Sequence, residues 1–121
     1  MFEVFVYGSL RQGASNSFRM AGAELLGSGV VSGRLYRVDW YPGIKLSNDR
    51  DDASEVIGEV YRIGDSMMAA LDEYEGGEYQ KKSVQVRKCE NCDQAIVWEY
   101  LPATEELELI ESGDWMDAES P

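Results

Sequence analysis

The stretch Glu24-Leu25-Leu26-Gly27-Ser28-Gly29-Val30-Val31-Ser32-Gly33-Arg34-Leu35-Tyr36-Arg37-Val38 decides the fold. Its β-branched and aromatic residues favour a pleated, half-buried chain. Gly27, Gly29 and Gly33 interrupt it, and glycine inside a strand marks a bulge, a bend or a close backbone approach. The reading is a long strand, or a strand pair, that bends. Bending of this kind suits a small barrel better than a flat sheet.

Upstream, Phe2 to Tyr7 is an apolar run ended by Gly8, which predicts a strand buried on both faces. Gly8 to Ala14 reads as a loop. Ser15 to Gly22 reads as a short helix with Ser15 as N-cap, Phe18 on its apolar side and Gly22 as terminator. Downstream, Trp40-Tyr41-Pro42-Gly43 is a turn, Ile44 to Leu46 a short strand, and Ser47 to Glu55 a solvent loop containing Asp49, Asp51 and Asp52. Val56 to Ile63 alternates as a core strand should. Next comes the clearest helix, with Asp65 as N-cap, Met67, Met68, Leu71 and Tyr74 at helical spacing, and Gly76-Gly77 as the stop. Tyr79 to Cys89 and Gln94 to Leu101 alternate and form a β-hairpin across Glu90-Asn91-Cys92-Asp93. After Pro102 the chain reads as an acidic tail, residues 102–121, with Leu107, Leu109, Ile110 and Trp115 as anchors. Strands separated by turns and only one or two helices argue against a doubly wound parallel sheet. The expectation is an α+β fold, a small mixed β-barrel with flanking short helices, in one domain over residues 1–121.

Composition narrows the chemistry. Hydrophobic residues make up 44% of the 121 residues and aromatics 11%, which is globular composition. Asp and Glu number 23 against 11 Lys and Arg, and the net charge of −12 disfavours nucleic acid and anionic membrane surfaces. An anionic small molecule would need local donors to overcome that field. No apolar run is long enough to span a bilayer, and MFEVFVYGSL does not resemble a signal peptide, so the expected location is cytoplasmic. Histidine is absent, which excludes a Ser-His-Asp triad, a Cys-His pair and histidine metal ligation within one chain. Proton transfer then falls to Glu, Asp, Tyr, Lys or Cys.

Several groupings of residues bear on function. Tyr7-Gly8-Ser9-Leu10 carries a buried strand into a turn that can aim consecutive N–H groups at an anion; an ordinary turn is the alternative. Ser9 lacks a histidine to make it a nucleophile. In Leu71-Asp72-Glu73-Tyr74-Glu75-Gly76, Glu75 occupies the last helical turn. The helix dipole, Asp72 one turn back and burial would all raise its pKa towards neutrality, as a general acid-base requires. Its alternative is a solvated helix surface in an acidic protein. Cys89-Glu90-Asn91-Cys92 has zinc-knuckle or redox spacing, but the chain lacks further Cys or His to complete a zinc site, so reduced loop cysteines are expected. Zinc shared between two subunits and a metal- or redox-linked regulator remain alternatives. Trp40, Tyr41, Tyr79, Trp98 and Tyr100 could line a pocket, but aromatics in a barrel are mostly core, and core is the reading for each except Tyr79, which falls beside any site at Glu75.

The order of these segments resembles the gamma-glutamylcyclotransferase-like superfamily, particularly its small branch typified by gamma-glutamylamine cyclotransferase. The resemblance rests on VFVYGSLRQGASN, GRLYRVDWYPGIKLS, VIGEVYRI, LDEYEGGEYQKKSVQV, IVWEYL and ESGDW. It implies a mixed barrel with a cavity that receives a gamma-glutamyl group, and an acyltransferase- or lyase-type reaction closing that group to 5-oxoproline with release of an amine or amino acid. It further implies that Tyr7, Gly8, Ser9 and Leu10 bind the substrate's α-carboxylate and that Glu75 is catalytic. Tyr79 and Tyr100 would be pocket walls, with no cofactor or metal required. A non-catalytic module binding gamma-glutamyl small molecules is the alternative. Where many relatives carry arginine, this chain has Lys81 in Tyr79-Gln80-Lys81, which keeps the charge but not the planar fork.

Overall fold

The long bending strand is present as a single element, β2 (Glu24–Arg37), and the rest of the sheet is arranged around it. A computed structural model of the chain describes residues 1–14, 16–47, 54–90 and 92–119. Its other strands are β1 (Phe2–Val6), β3 (Pro42–Leu46), β4 (Glu55–Ile63), β5 (Tyr79–Gln85), β6 (Gln94–Tyr100) and β7 (Glu108–Ile110). Two helices accompany them, α1 (Asp65–Glu75) and α2 (Trp115–Glu119). Strand order is β3-β2-β4-β1-β6-β5, with β7 added to β2. Only the β1–β6 pairing is parallel among these ladders, so the sheet is mixed.

β2 bends because it serves different neighbours along its length. Glu24 to Ser32 pairs with β4, and the register shifts between Leu25 and Gly27, the β-bulge that an interior glycine suggested. From Gly33 to Arg37 it pairs with β3, and Leu35 to Arg37 also meets β7. The sheet thereby curls into a half-barrel. Past the end of β5, Arg87 bridges back to Val30, with N–H···O distances of 2.9 Å in both directions.

Alternation along β1 separates two bodies of core. Phe5 packs inside the half-barrel with Val31, Leu35, Ile44, Val60 and Trp115. Val4 and Val6 face the other way, towards Met68 and Leu71 of α1 and Trp98 of β6. Period-two geometry therefore puts apolar residues on both faces, as expected for this strand. A central strand clamped between α1 and the barrel interior is a rigid base for the turn that follows it.

Four expectations need correction. Asp65 is the first helical residue rather than the N-cap; extended Gly64 precedes it, and its carbonyl accepts the Met68 N–H at 3.0 Å. Ser15 lies outside the described residues, and only Ser17–Met20 winds, as a 3-10 turn. There Met20 is 5% exposed and Phe18 67%, so Met20 and not Phe18 is the anchor. In the C-terminal stretch Leu109 is exposed and anchors nothing, whereas the anchors Ile110, in β7, and Trp115, 1% exposed at the start of α2, enter the core as expected. Finally, β5 ends at Gln85, and Cys89 and Cys92 are joined as a disulfide with their Cα atoms 5.5 Å apart, where reduced thiols were expected. Asn91 of that turn and Asp49, Asp51 and Asp52 of the acidic loop lie outside the described residues.

Candidate active site

β1 delivers the chain into a cavity of about 210 Å³. Tyr7, Gly8, Ser9 and Leu10 line one side, Glu75 and Tyr79 another, and Tyr41 and Pro42 a third. Segments distant in sequence thus converge because β1 lies between β4 and β6 while α1 packs across it.

The turn is built by close approach. A side-chain carbon on Gly8 would come within 2.6 Å of Pro42 Cγ, so only glycine lets the turn and the β3 start sit against each other. Ser9 is 5% exposed, and its hydroxyl shares a 2.9 Å hydrogen bond with Tyr74. Among the described residues, the Ser9 and Leu10 N–H groups have no hydrogen-bond acceptor. Tyr7 serves differently. Its hydroxyl donates to the Trp98 carbonyl at 2.8 Å and accepts from the Ile44 N–H at 3.3 Å, pinning β1 to β6 and β3. Burial, followed by the fields of Tyr79 and Glu75, pushes the Tyr7 hydroxyl well above its ordinary pKa, so it stays neutral.

Glu75 closes α1. Gly76 follows at φ 79°, a left-handed conformation that glycine adopts without strain, and its N–H caps the Asp72 carbonyl at 3.2 Å. This stop turns the chain sharply and leaves the Glu75 side chain facing the cavity. Burial, with a smaller contribution from Asp72, raises its pKa from 4.5 to about 7. No described cation pairs with it. Asp72 behaves oppositely. Lys81 Nζ donates to it at 2.8 Å and Trp98 Nε1 at 3.0 Å, and the Lys81 bond chiefly holds its pKa below the usual value. Lys81 therefore fixes Asp72 in its charged form.

Tyr79 lines the cavity, but its hydroxyl donates to the Pro42 carbonyl at 2.8 Å. Burial and then the Glu75 charge push its pKa up. Tyr100 is not in the lining; it stands behind Tyr79, ring centroids 5.4 Å apart, and supports that wall. Trp40 departs from the core reading. It is 55% exposed at the cavity mouth, edge-on to Tyr41 at 4.9 Å. Glu78 and Tyr74 were also missed; both flank the segment that carries Glu75, and that adjacency was the available signal. Among the described residues, no cluster of Cys, Asp and Glu is arranged to hold a metal ion.

Turn amides with no acceptor among the described residues and a carboxyl with its pKa raised to about 7 thus meet in one cavity of the half-barrel. Residues 4–117 match the family model described as gamma-glutamyl cyclotransferase, AIG2-like, and the chain belongs to that family. It is 39% identical over 117 residues to the gamma-glutamylcyclotransferase family protein YtfP of Escherichia coli K12, covering 94% of this chain and 96% of that protein. The crystal structure of an aig2-like protein from Mus musculus superposes with a TM-score of 0.75 at 28% identity, covering 92% of this chain and 86% of that one. A Pyrococcus horikoshii protein shares the fold at 22% identity, with a TM-score of 0.79 over 98% of this chain and 92% of its own.

Proposed function

We propose that the protein is a cofactor-independent cyclotransferase that converts a gamma-glutamyl amide to 5-oxoproline and a free amine. The observation that carries this reading is the half-buried Glu75 carboxyl, raised to about 7 in the same cavity as the Tyr7-to-Leu10 turn. The free Ser9 and Leu10 N–H groups would hold the substrate α-carboxylate, the local donors that the −12 field demands. Ionised Glu75 takes a proton from the α-ammonium. The freed amine attacks the γ-carbonyl carbon, forming the lactam C–N bond. Glu75 returns that proton to the departing nitrogen as the original amide C–N bond breaks. A further proton follows the same route, so the amine leaves as an ammonium and the carboxylate is regenerated. Because nucleophile and electrophile belong to one molecule, holding the substrate folded supplies much of the acceleration. Tyr79 and Tyr7, both kept neutral, shape the cavity rather than exchange protons.

The test is 5-oxoproline release from gamma-glutamyl amides by wild type and Glu75→Gln. The variant is expected to lose at least about 100-fold in kcat while remaining folded. Wild-type kcat/KM should fall as pH drops below about 7, where Glu75 becomes protonated. Full activity in Glu75→Gln would remove the mechanism. Saturable binding by wild type without product would make the protein a binding module instead.

A further inference from the structure

We infer that the departing amine carries a second, positively charged group, held at the cavity mouth by the Glu78 carboxylate and the rings of Trp40 and Tyr41. This inference rests on the cyclotransferase reading and specifies its substrate. The cavity has a direction. Its floor is the buried turn with Ser9 and Tyr7, and its mouth is formed by exposed Glu78 and Trp40. With the glutamyl α-carboxylate on the turn amides and the γ-carbonyl beside Glu75, whatever is attached to the γ-nitrogen must project past these mouth residues.

Among the described residues, the charges at the mouth are of one sign: the lining contains Glu75 and Glu78 but no lysine or arginine. The nearby cations are engaged elsewhere: Lys81 bonds Asp72, Lys45 donates to the Leu101 carbonyl, and Arg19 lies over the Tyr74 ring at 4.3 Å. None of them is a lining residue. Glu78 acts on the mouth directly, since its charge helps raise the pKa of Tyr41 and of Tyr79. Trp40 and Tyr41 add electron-rich ring faces, which attract ammonium groups. A leaving group ending in a carboxylate would meet repulsion from Glu78 and find no cation among the described lining residues. One ending in an ammonium would be attracted by all three side chains. Trp40 is over half exposed without being packed into the core, as a residue kept for a ligand would be.

Three gamma-glutamyl amides of matched length separate the possibilities: those of 1,4-diaminobutane, pentylamine and 4-aminobutanoate, with a distal ammonium, no distal charge and a distal carboxylate. Wild type should favour the diaminobutane amide over the pentylamide by about tenfold in kcat/KM, with the aminobutanoate compound poorest. That preference should shrink as salt is added. In Glu78→Gln, an exposed and fold-neutral change, the ratio of the first two should fall about three- to fivefold. Calorimetric binding of the same amides to Glu75→Gln reads the preference without turnover. If wild type releases no 5-oxoproline but binding keeps the ammonium order, the catalytic reading fails and the charge preference stands. Equal binding of the charged and neutral amides, a preference for the carboxylate, or an unchanged ratio in Glu78→Gln overturns the inference.

Discussion

The loop that leaves β1 has two sides, and they treat buried charge in opposite ways. On the cavity side, Glu75 has no described cation partner, and burial holds its pKa near 7. On the other side, Arg11 is 8% exposed and bonds Glu59 at 3.2 Å and Asp114 at 2.6 Å. Glu59 also accepts the Gln12 N–H at 2.8 Å and the Tyr61 hydroxyl at 3.3 Å. Both sides desolvate carboxylates; only one supplies partners. The paired side ties the loop to β4 and to the residue just before α2, while the unpaired side is left with a carboxyl that can still exchange a proton. The loop thus carries a paired network on one side and faces an unpaired carboxyl, at the end of α1, on the other.

Breaking the paired side should have the largest effect. Arg11→Met strands buried Glu59 and half-buried Asp114 as neighbouring negative charges, and removing one partner of such a network costs up to about 3–5 kcal/mol. Urea unfolding at neutral pH should register that loss, and substrate KM should rise because Ser9 and Leu10 lose their anchor. A loss below about 1 kcal/mol would mean that the network does not hold the loop, and the contrast between its sides would collapse.

The two sides were not equally legible in the sequence. The cavity side could be read because its residues are contiguous: Tyr7 to Leu10 follow an evident strand, and Glu75 precedes the glycine that ends an evident helix. The paired side joins Arg11 to Glu59 and Asp114, and nothing local to any of them announces the contact. The bend of β2 was readable from its glycines, but its exchange of partners from β4 to β3 and β7 depends on the whole sheet. Trp40 was misread because composition assigns large aromatics to cores, and only the assembled turn places this one at a cavity mouth. In the acidic C-terminal stretch the anchors Ile110 and Trp115 were readable from their apolar character, whereas the seat they take inside the half-barrel depends on the assembled sheet.

A smaller change should appear, with opposite sign, on the unpaired side. The folded pKa of Glu75, about 7, lies above its ordinary 4.5, so the folded protein binds this proton more tightly than the unfolded chain. Glu75 therefore costs no stability while both states are protonated, and its ionisation becomes a progressively larger cost as pH rises from about 4.5 to 7. Glu75→Gln mimics the protonated form. It should match wild type at low pH and be more stable by about 1–3 kcal/mol above neutrality, as judged by parallel unfolding curves across pH. Equal stability at high pH would show that the carboxyl is not desolvated, and the cavity side would then resemble an ordinary surface.

The smallest effect tests which influence governs Glu75. Burial is the larger cause of its raised pKa and Asp72 the lesser. Asp72→Asn removes the charge but keeps an oxygen to accept from Trp98 Nε1, now bonded at 3.0 Å, so the helix end should stay in place. The Glu75 pKa should then fall only part of the way from about 7 towards 4.5, observable as a downfield-shifting carboxyl carbon in an NMR pH titration or as the acid limb of kcat/KM. A full return to 4.5 would make the neighbouring charge the controlling influence, and the site would depend on Lys81 keeping Asp72 ionised. A partial fall instead assigns the proton affinity mainly to burial in the cavity wall, the same desolvation that Arg11 offsets by pairing on the other side of the loop.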